Sequence, residues 1–167
     1  ISECKALMQD QTIFTSLLDM RLLRGDEELF SDLAQIRKKL VQENTFKKNF
    51  FESKLEERKE RLKKFGGSVY LLEPNIKEGE GGLRDIHLIR WLAKAIGLQG
   101  VEGLCKSGLI NKSMAESLSL ALNFLLAIRN QLHCQASKKN DQLNFAMQEQ
   151  IARAMNFKGE ELSLIHI

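Results

Sequence analysis

Residues 114–136 read MAESLSLALNFLLAIRNQLHCQA. Between Leu118 and Ile128 the apolar residues cover nearly every side of a helix, which predicts a central core helix. Ser113 and Glu116 form the S-x-x-E pattern of a capping box, so the helix is expected to open at Ser113, with Glu116 reaching back to it. After it, Lys138–Asp141 reads as a loop and Phe145–Asn156 as a last helix. Before it, a short turn or helix is expected around Val101–Ser107. A further helix runs from Leu83 through Ile86, Ile89, Trp91, Leu92 and Ile96 to Gly97, at helical spacing.

The helical pattern breaks in residues 66–82, GGSVYLLEPNIKEGEGG, which hold five glycines and the only proline of the chain. Val69–Leu72 reads as extended, and Pro74 pushes Glu73 out of the α region. N-terminal to this break, residues 3–24 read as helix, ended by Gly25. Asp26 opens the next helix, with Glu27 and Glu28 in its first turn. That helix carries Leu29, Phe30, Leu33, Ile36 and Leu40 and breaks near Asn44. A long charged stretch, KKNFFESKLEERKERLKKF at 47–65, mixes signs at i,i+4 around few apolar residues. It reads as a solvated helix with one narrow buried stripe.

These segments define an all-α chain: a bundle of about five or six helices with one glycine-rich irregular segment. Composition agrees. Of 167 residues, 43% are hydrophobic and 28% charged, which excludes disorder and a collagen or disulfide scaffold. The net charge of +3 comes from 25 basic and 22 acidic interleaved residues, so no nucleic-acid partner is expected. No apolar run approaches the ~18 residues of a membrane span, and residues 1–11 lack a signal peptide's basic leader and apolar block. Cys4, Cys105 and Cys134 are too scattered for a disulfide framework, and with His87, His133 and His166 they supply no zinc ligand set. A reducing, cytoplasmic location fits. The chain does not begin with Met and reads as part of something longer.

Chemistry concentrates in Glu73–His87, EPNIKEGEGGLRDIH. Gly79, Gly81 and Gly82 let backbone N–H groups approach a ligand, and a helix beginning near Leu83 turns its positive end toward them. Lys77 and Arg84 add two cations. A phosphate-recognition corner follows, although Glu78, Glu80 and Asp85 would repel phosphate unless they bind metal or point away. The same residues also make a tight interdomain turn, with Asp85 stabilising the helix N-terminus and Arg84 in a fixed ion pair. Neither the Walker loop nor the dinucleotide fingerprint is present. His133, four residues after Arg129, reads as a hydrogen-bonded structural histidine. His87 is open to a structural or a functional role, and no nucleophile–base–orienter set stands near either histidine.

As a string, LLEPNIKEGEGGLRDIH resembles the L-E-P-x-I-K-x-x-x-G-G-L-R-D-I-H signature of the PII-protein uridylyltransferase/uridylyl-removing family. Residues 10–26, DQTIFTSLLDMRLLRGD, resemble the segment after that family's nucleotidyltransferase core. Residues 122–143, LNFLLAIRNQLHCQASKKNDQL, resemble its Arg…Leu-His…basic loop…Asp-x-Leu stretch, and Phe145–Phe157 its next helix. Glutamine synthetase adenylyltransferases share a related Lys…Gly-Gly-Ile-Arg segment, but Leu83-Arg84-Asp85-Ile86-His87 favours the uridylyltransferases. The resemblance implies transfer of UMP from UTP to a tyrosine hydroxyl of the PII signal protein, with glutamine as effector and Mg²⁺ as cofactor. It implies that the family's Gly-Ser motif and metal-binding aspartates lie upstream and its HD and ACT domains downstream. This chain alone is then expected to be inactive, with Lys77, Gly79, Gly81, Gly82, Arg84 and Asp85 as candidate nucleotide-binding residues. A non-catalytic helical interaction module is the competing reading. Residues 1–40 are expected to end the transferase core and 41–161 to form the helical domain behind it. Residues 162–167, LSLIHI, resemble a translated sequencing adapter and are set apart as a scar.

Overall fold

The computed structural model describes residues 10–67, 71–135 and 140–157. Among them stand seven helices: α1 (Gln11–Leu18), α2 (Glu27–Gln42), α3 (Asn44–Phe65), α4 (Leu83–Ala95), α5 (Gly100–Lys106), α6 (Lys112–Gln135) and α7 (Phe145–Ala154). The chain is all-α, as expected. The short α5 occupies the place left open as turn or helix and lifts the count above five or six. The one strand-like feature among the described residues is an antiparallel pairing of Asn75 with Gln142. Several expectations lie outside the described residues: the start of the first helix at residue 3, Val69 and Tyr70, Lys138 and Lys139, and the 162–167 tail.

The chain divides into two compact units, Ile1–Glu57 with Leu88–Asn111, and Arg58–His87 with Lys112–Ile167. In the first unit, Asp10 caps α1 by accepting from the Thr12 and Ile13 N–H groups at 2.7 and 3.1 Å. The helix ends at Leu18 rather than continuing to residue 24. Its last carbonyls are taken by side chains from elsewhere: Arg37 donates to Leu17 O at 3.1 Å and Lys94 to Leu18 O at 3.3 Å. Asp19, the residue that leaves the helix, accepts from Trp91 Nε1 at 3.0 Å and pairs with Lys94. These tertiary partners replace another turn of helix.

Gly25, at φ +136°, lies well past the end of α1 and so does not end that helix as expected, whereas Asp26 caps α2 by accepting from Leu29 N–H at 3.0 Å, as the sequence predicts. A single extended residue, Glu43, separates α2 from α3 at the expected break. The core of this unit is Phe14, Leu18, Ile36, Leu40, Phe46, Phe50 and Ala95. Phe14 meets Phe46 and Phe50 edge-on, with centroids 4.6 and 5.4 Å away. The buried stripe of α3 is Phe46, Phe50 and Lys54, every fourth residue. Lys54 is only 5% exposed; its ammonium lies 5.8 Å from the Phe50 ring centre and 5.7 Å from that of Trp91, and bonds Glu57 at 2.5 Å.

In the second unit, Ile76, Ile128, Leu132, Leu143 and Ile151 form the core, with Phe124, Leu125, Met147 and Met155 packed on it. Helix α6 corrects two expectations. It opens at Lys112, so Ser113 lies inside the first turn and Glu116 pairs with Lys112 at 3.7 Å instead of reaching back. Nor is it buried all round: Ile128 and Leu132 are its buried residues, while Met114, Leu120 and Leu126 are exposed. The core of this unit gathers on the C-terminal half of the helix, where Ile128 and Leu132 pack with Ile76, Leu143 and Ile151, while Leu118 and Leu122 are half-buried. Asn144 caps α7 by accepting from Met147 N–H at 2.9 Å.

Candidate functional site

The glycine-rich segment folds into a knot closed on itself. Pro74 leads into Asn75, whose side-chain oxygen accepts from the Lys77 and Glu78 N–H groups at 3.1 and 2.8 Å. Gly79 N–H returns to Asn75 O at 2.9 Å and Gly82 N–H to Gly79 O at 3.1 Å. The first N–H groups of α4, those of Leu83 and Arg84, donate to Ile76 O and Lys77 O at 3.0 and 2.9 Å. Gly81, at φ +72°, donates to Asp85 Oδ2 at 3.0 Å.

Two of the glycines are explained by this closure. A Cβ on Gly79 would lie 2.7 Å from Asn75 O, and one on Gly82 would lie 2.8 Å from Ile76 O. The close approach they permit is therefore that of the chain's own carbonyls. The N–H groups of Lys77, Glu78, Gly79 and Gly81 through Ile86 all donate within the segment. A phosphate meeting this knot as it stands would find side chains, not a cradle of free amides.

Ion pairs fix the knot in two layers. In the inner one, Arg58 holds Asp85 bidentately, Nε at 3.0 Å and Nη2 at 3.1 Å, and Arg61 pairs with the same carboxylate. Arg61 also donates to Glu78 O at 2.5 Å, and Arg58 lies 3.6 Å from Glu80. Burial raises the Asp85 pKa, but the two guanidiniums and the Gly81 N–H outweigh it and hold the carboxyl below its ordinary range. In the outer layer one Glu78 oxygen faces Lys77 Nζ at 2.8 Å and Arg84 Nη2 at 3.5 Å. Burial again pushes Glu78 up, and the two cations more than offset it, leaving its pKa lowered.

A second segment staples the knot from outside. Ile76 N–H donates to Asp141 O at 3.0 Å and Leu143 N–H to Pro74 O at 2.9 Å. Gln142 bonds Glu73 O, and Phe145 N–H donates to Glu73 Oε1 at 3.0 Å. Asp141 is itself held by Arg129 Nε at 2.8 Å and His133 Nε2 at 3.1 Å. His133 therefore has the structural, hydrogen-bonded place expected of it.

The structure thus brings Lys77, Gly79, Gly81, Gly82, Arg84 and Asp85 together, and adds residues that sequence reading missed. Arg58 and Arg61 are the arginines of a run otherwise rich in lysine, and a guanidinium fork suits a shared carboxylate better than an ammonium does. That contrast was the available signal. Arg129 and Asp141 carried none beyond their place in the family-like string. No three His, Cys, Asp or Glu residues among the described ones converge to hold a metal ion. Glu78, Glu80 and Asp85 are each engaged by Lys or Arg, a donor set that does not fit Mg²⁺. A cleft of about 530 Å³ in the first unit is lined by Arg37, Lys38 and Lys94, of which Arg37 and Lys94 cap α1. No described helix is long and apolar enough to cross a membrane.

Comparison with known proteins places the chain in a family. A protein of Novosphingobium aromaticivorans named bifunctional uridylyltransferase/uridylyl-removing enzyme is 40% identical over 149 residues, 89% of this chain and 16% of that protein. One of the same name from Phenylobacterium zucineum is 37% identical over 159 residues, 94% of this chain and 17% of its own length. The family model described as GlnD PII-uridylyltransferase matches residues 49–164, reaching into the stretch set apart as a tail. The chain belongs to the GlnD PII-uridylyltransferase family. It spans about a sixth of the length of the curated relatives it matches. No solved structure matches it.

Proposed function

We propose that this chain is the helical part of a nucleotidyltransferase that moves UMP from UTP to the PII signal protein, and that its knot closes one side of the nucleotide site. The observation that carries the reading is the outer ion-pair layer. Lys77 and Arg84 stand on the partly exposed side of a knot held by Arg58, Arg61 and Asp85, so two cations are presented at a fixed spacing. Their part is to orient and neutralise phosphate oxygens. Asp85 and the three glycines hold the two cations in place. Residues 1–40 end the transferase core in this reading, and 41–161 are the domain behind it. Mg²⁺ serves the whole enzyme through residues other than those described, glutamine acts as its effector, and the enzyme is cytoplasmic. The chain by itself is inactive.

The test is full-length protein incubated with PII and labelled UTP, beside glutamine synthetase with labelled ATP. Label on PII supports the reading; label on glutamine synthetase makes it an adenylyltransferase. Within that assay, Arg84→Ala should raise KM for UTP or lower kcat/KM about ten- to hundredfold, as loss of a charge-assisted bond to phosphate would. A second reading, a purely structural interdomain turn, is favoured by the internal engagement of the backbone N–H groups. It predicts that Arg84→Ala lowers Tm while the enzyme that remains folded keeps its UTP kinetics.

A further inference from the structure

We infer that Glu78 is a built-in competitor for the anion site: its carboxylate occupies the position between Lys77 and Arg84 that a phosphate oxygen would take, and it must leave before one can bind. This rests on the proposed role of Lys77 and Arg84 and adds a residue that sets their affinity for polyphosphate.

One Glu78 oxygen faces both cations, at 2.8 and 3.5 Å, as a phosphate oxygen shared by a lysine and an arginine would. The Glu78 side chain is 16% exposed, whereas Lys77 and Arg84 are 27% and 32% exposed, so the cations present the more accessible surface. Glu78 is not needed to neutralise the inner layer, where Arg58 and Arg61 face Asp85 and Glu80. Its fixed part is the backbone: Glu78 N–H donates to Asn75 Oδ1 and Glu78 O accepts from Arg61. The side chain can therefore turn away by rotamer change while the knot keeps its hydrogen bonds. A triphosphate carries more charge than one carboxylate and can displace it. The device lowers the apparent affinity for every anion by the same factor, so at a given concentration only anions that bind the open site strongly fill it.

The experiment measures KM for UTP, and inhibition by inorganic pyrophosphate, in full-length enzyme carrying Glu78→Gln. The amide keeps the shape and removes the charge. The expected result is a KM about two- to fivefold lower, tighter pyrophosphate inhibition and little change in kcat, the range that loss of a partly exposed ion pair allows. An unchanged or raised KM overturns the proposal. If Glu78→Gln lowers Tm, Glu78→Asp carries the test. It keeps the charge but draws it back by one methylene, so a KM between those of wild type and a free site supports the competitor, and a KM at or above wild type overturns it. Arg84→Ala separates this from the reading beneath it. If Arg84→Ala weakens UTP use and Glu78→Gln does not strengthen it, only the competitor fails. If Arg84→Ala leaves UTP kinetics unchanged, the site itself fails.

Discussion

Gly82 is a residue whose conformational freedom the sequence marks without naming the atom that requires it. The sequence marks a place where backbone must come close to something, and the structure answers that the something is Ile76 O. Gly82→Ala should therefore cost stability, about 1–3 kcal/mol, because the obstructing atom is a buried backbone carbonyl that cannot step aside. Urea unfolding with an unchanged midpoint would refute this. Asp85 was legible as the anchor of the turn, but its partners were not. Arg58 and Arg61 lie 27 and 24 residues away in sequence. Periodicity describes neighbours on one helix and is silent about which distant residue a guanidinium will find.

The helices repeat this lesson at larger scale. Where a start or stop is encoded locally it could be read: Asp26 caps α2, and Glu43 breaks the chain before α3. The end of α1 was misread because Arg37, Lys94 and Trp91, which settle it, come from α2 and α4. For α6, counting apolar residues overestimated burial, since an apolar residue is core only where something covers it. The two halves of this helix should respond differently. Leu132, fully buried, should cost about 2–5 kcal/mol as Leu132→Ala. Leu120, 70% exposed, should tolerate Leu120→Ala within about 0.5 kcal/mol. Paired denaturation curves decide it; equal losses would mean that the whole helix is buried.

Across the chain, carboxylates paired with cations tie acid to stability. Asp19, Glu78, Asp85 and Asp141 are all pushed up by burial, and all end below their ordinary range because hydrogen-bonded cations outweigh it. A lowered folded pKa means that the unfolded chain takes up protons first. Their contribution is complete above the unfolded values, near pH 4, and is lost as pH falls through the lower folded ones. The urea midpoint should accordingly be flat with respect to these groups from about pH 5 upward and fall below about pH 4. Asp85→Asn should be less stable at pH 6 and show a shallower fall in acid. A midpoint that holds steady down to about pH 2.5 would contradict the pairing. The all-α class and the irregular segment were thus legible from composition and spacing. The two interleaved units were not, because their contacts join stretches that the sequence keeps far apart.

The stapling of Glu73 by Gln142 spans 69 positions of the chain. Polypeptide leaves a ribosome at about 5–20 residues per second, so roughly 3–14 s separate the emergence of the two partners. For that interval the knot's own turns can form, but Ile76 has neither its Asp141 carbonyl nor its Leu143 and Ile151 neighbours. Birth order therefore makes the second unit wait for α7, and a nascent chain halted between the two segments carries the glycine-rich knot without the clasp that holds it.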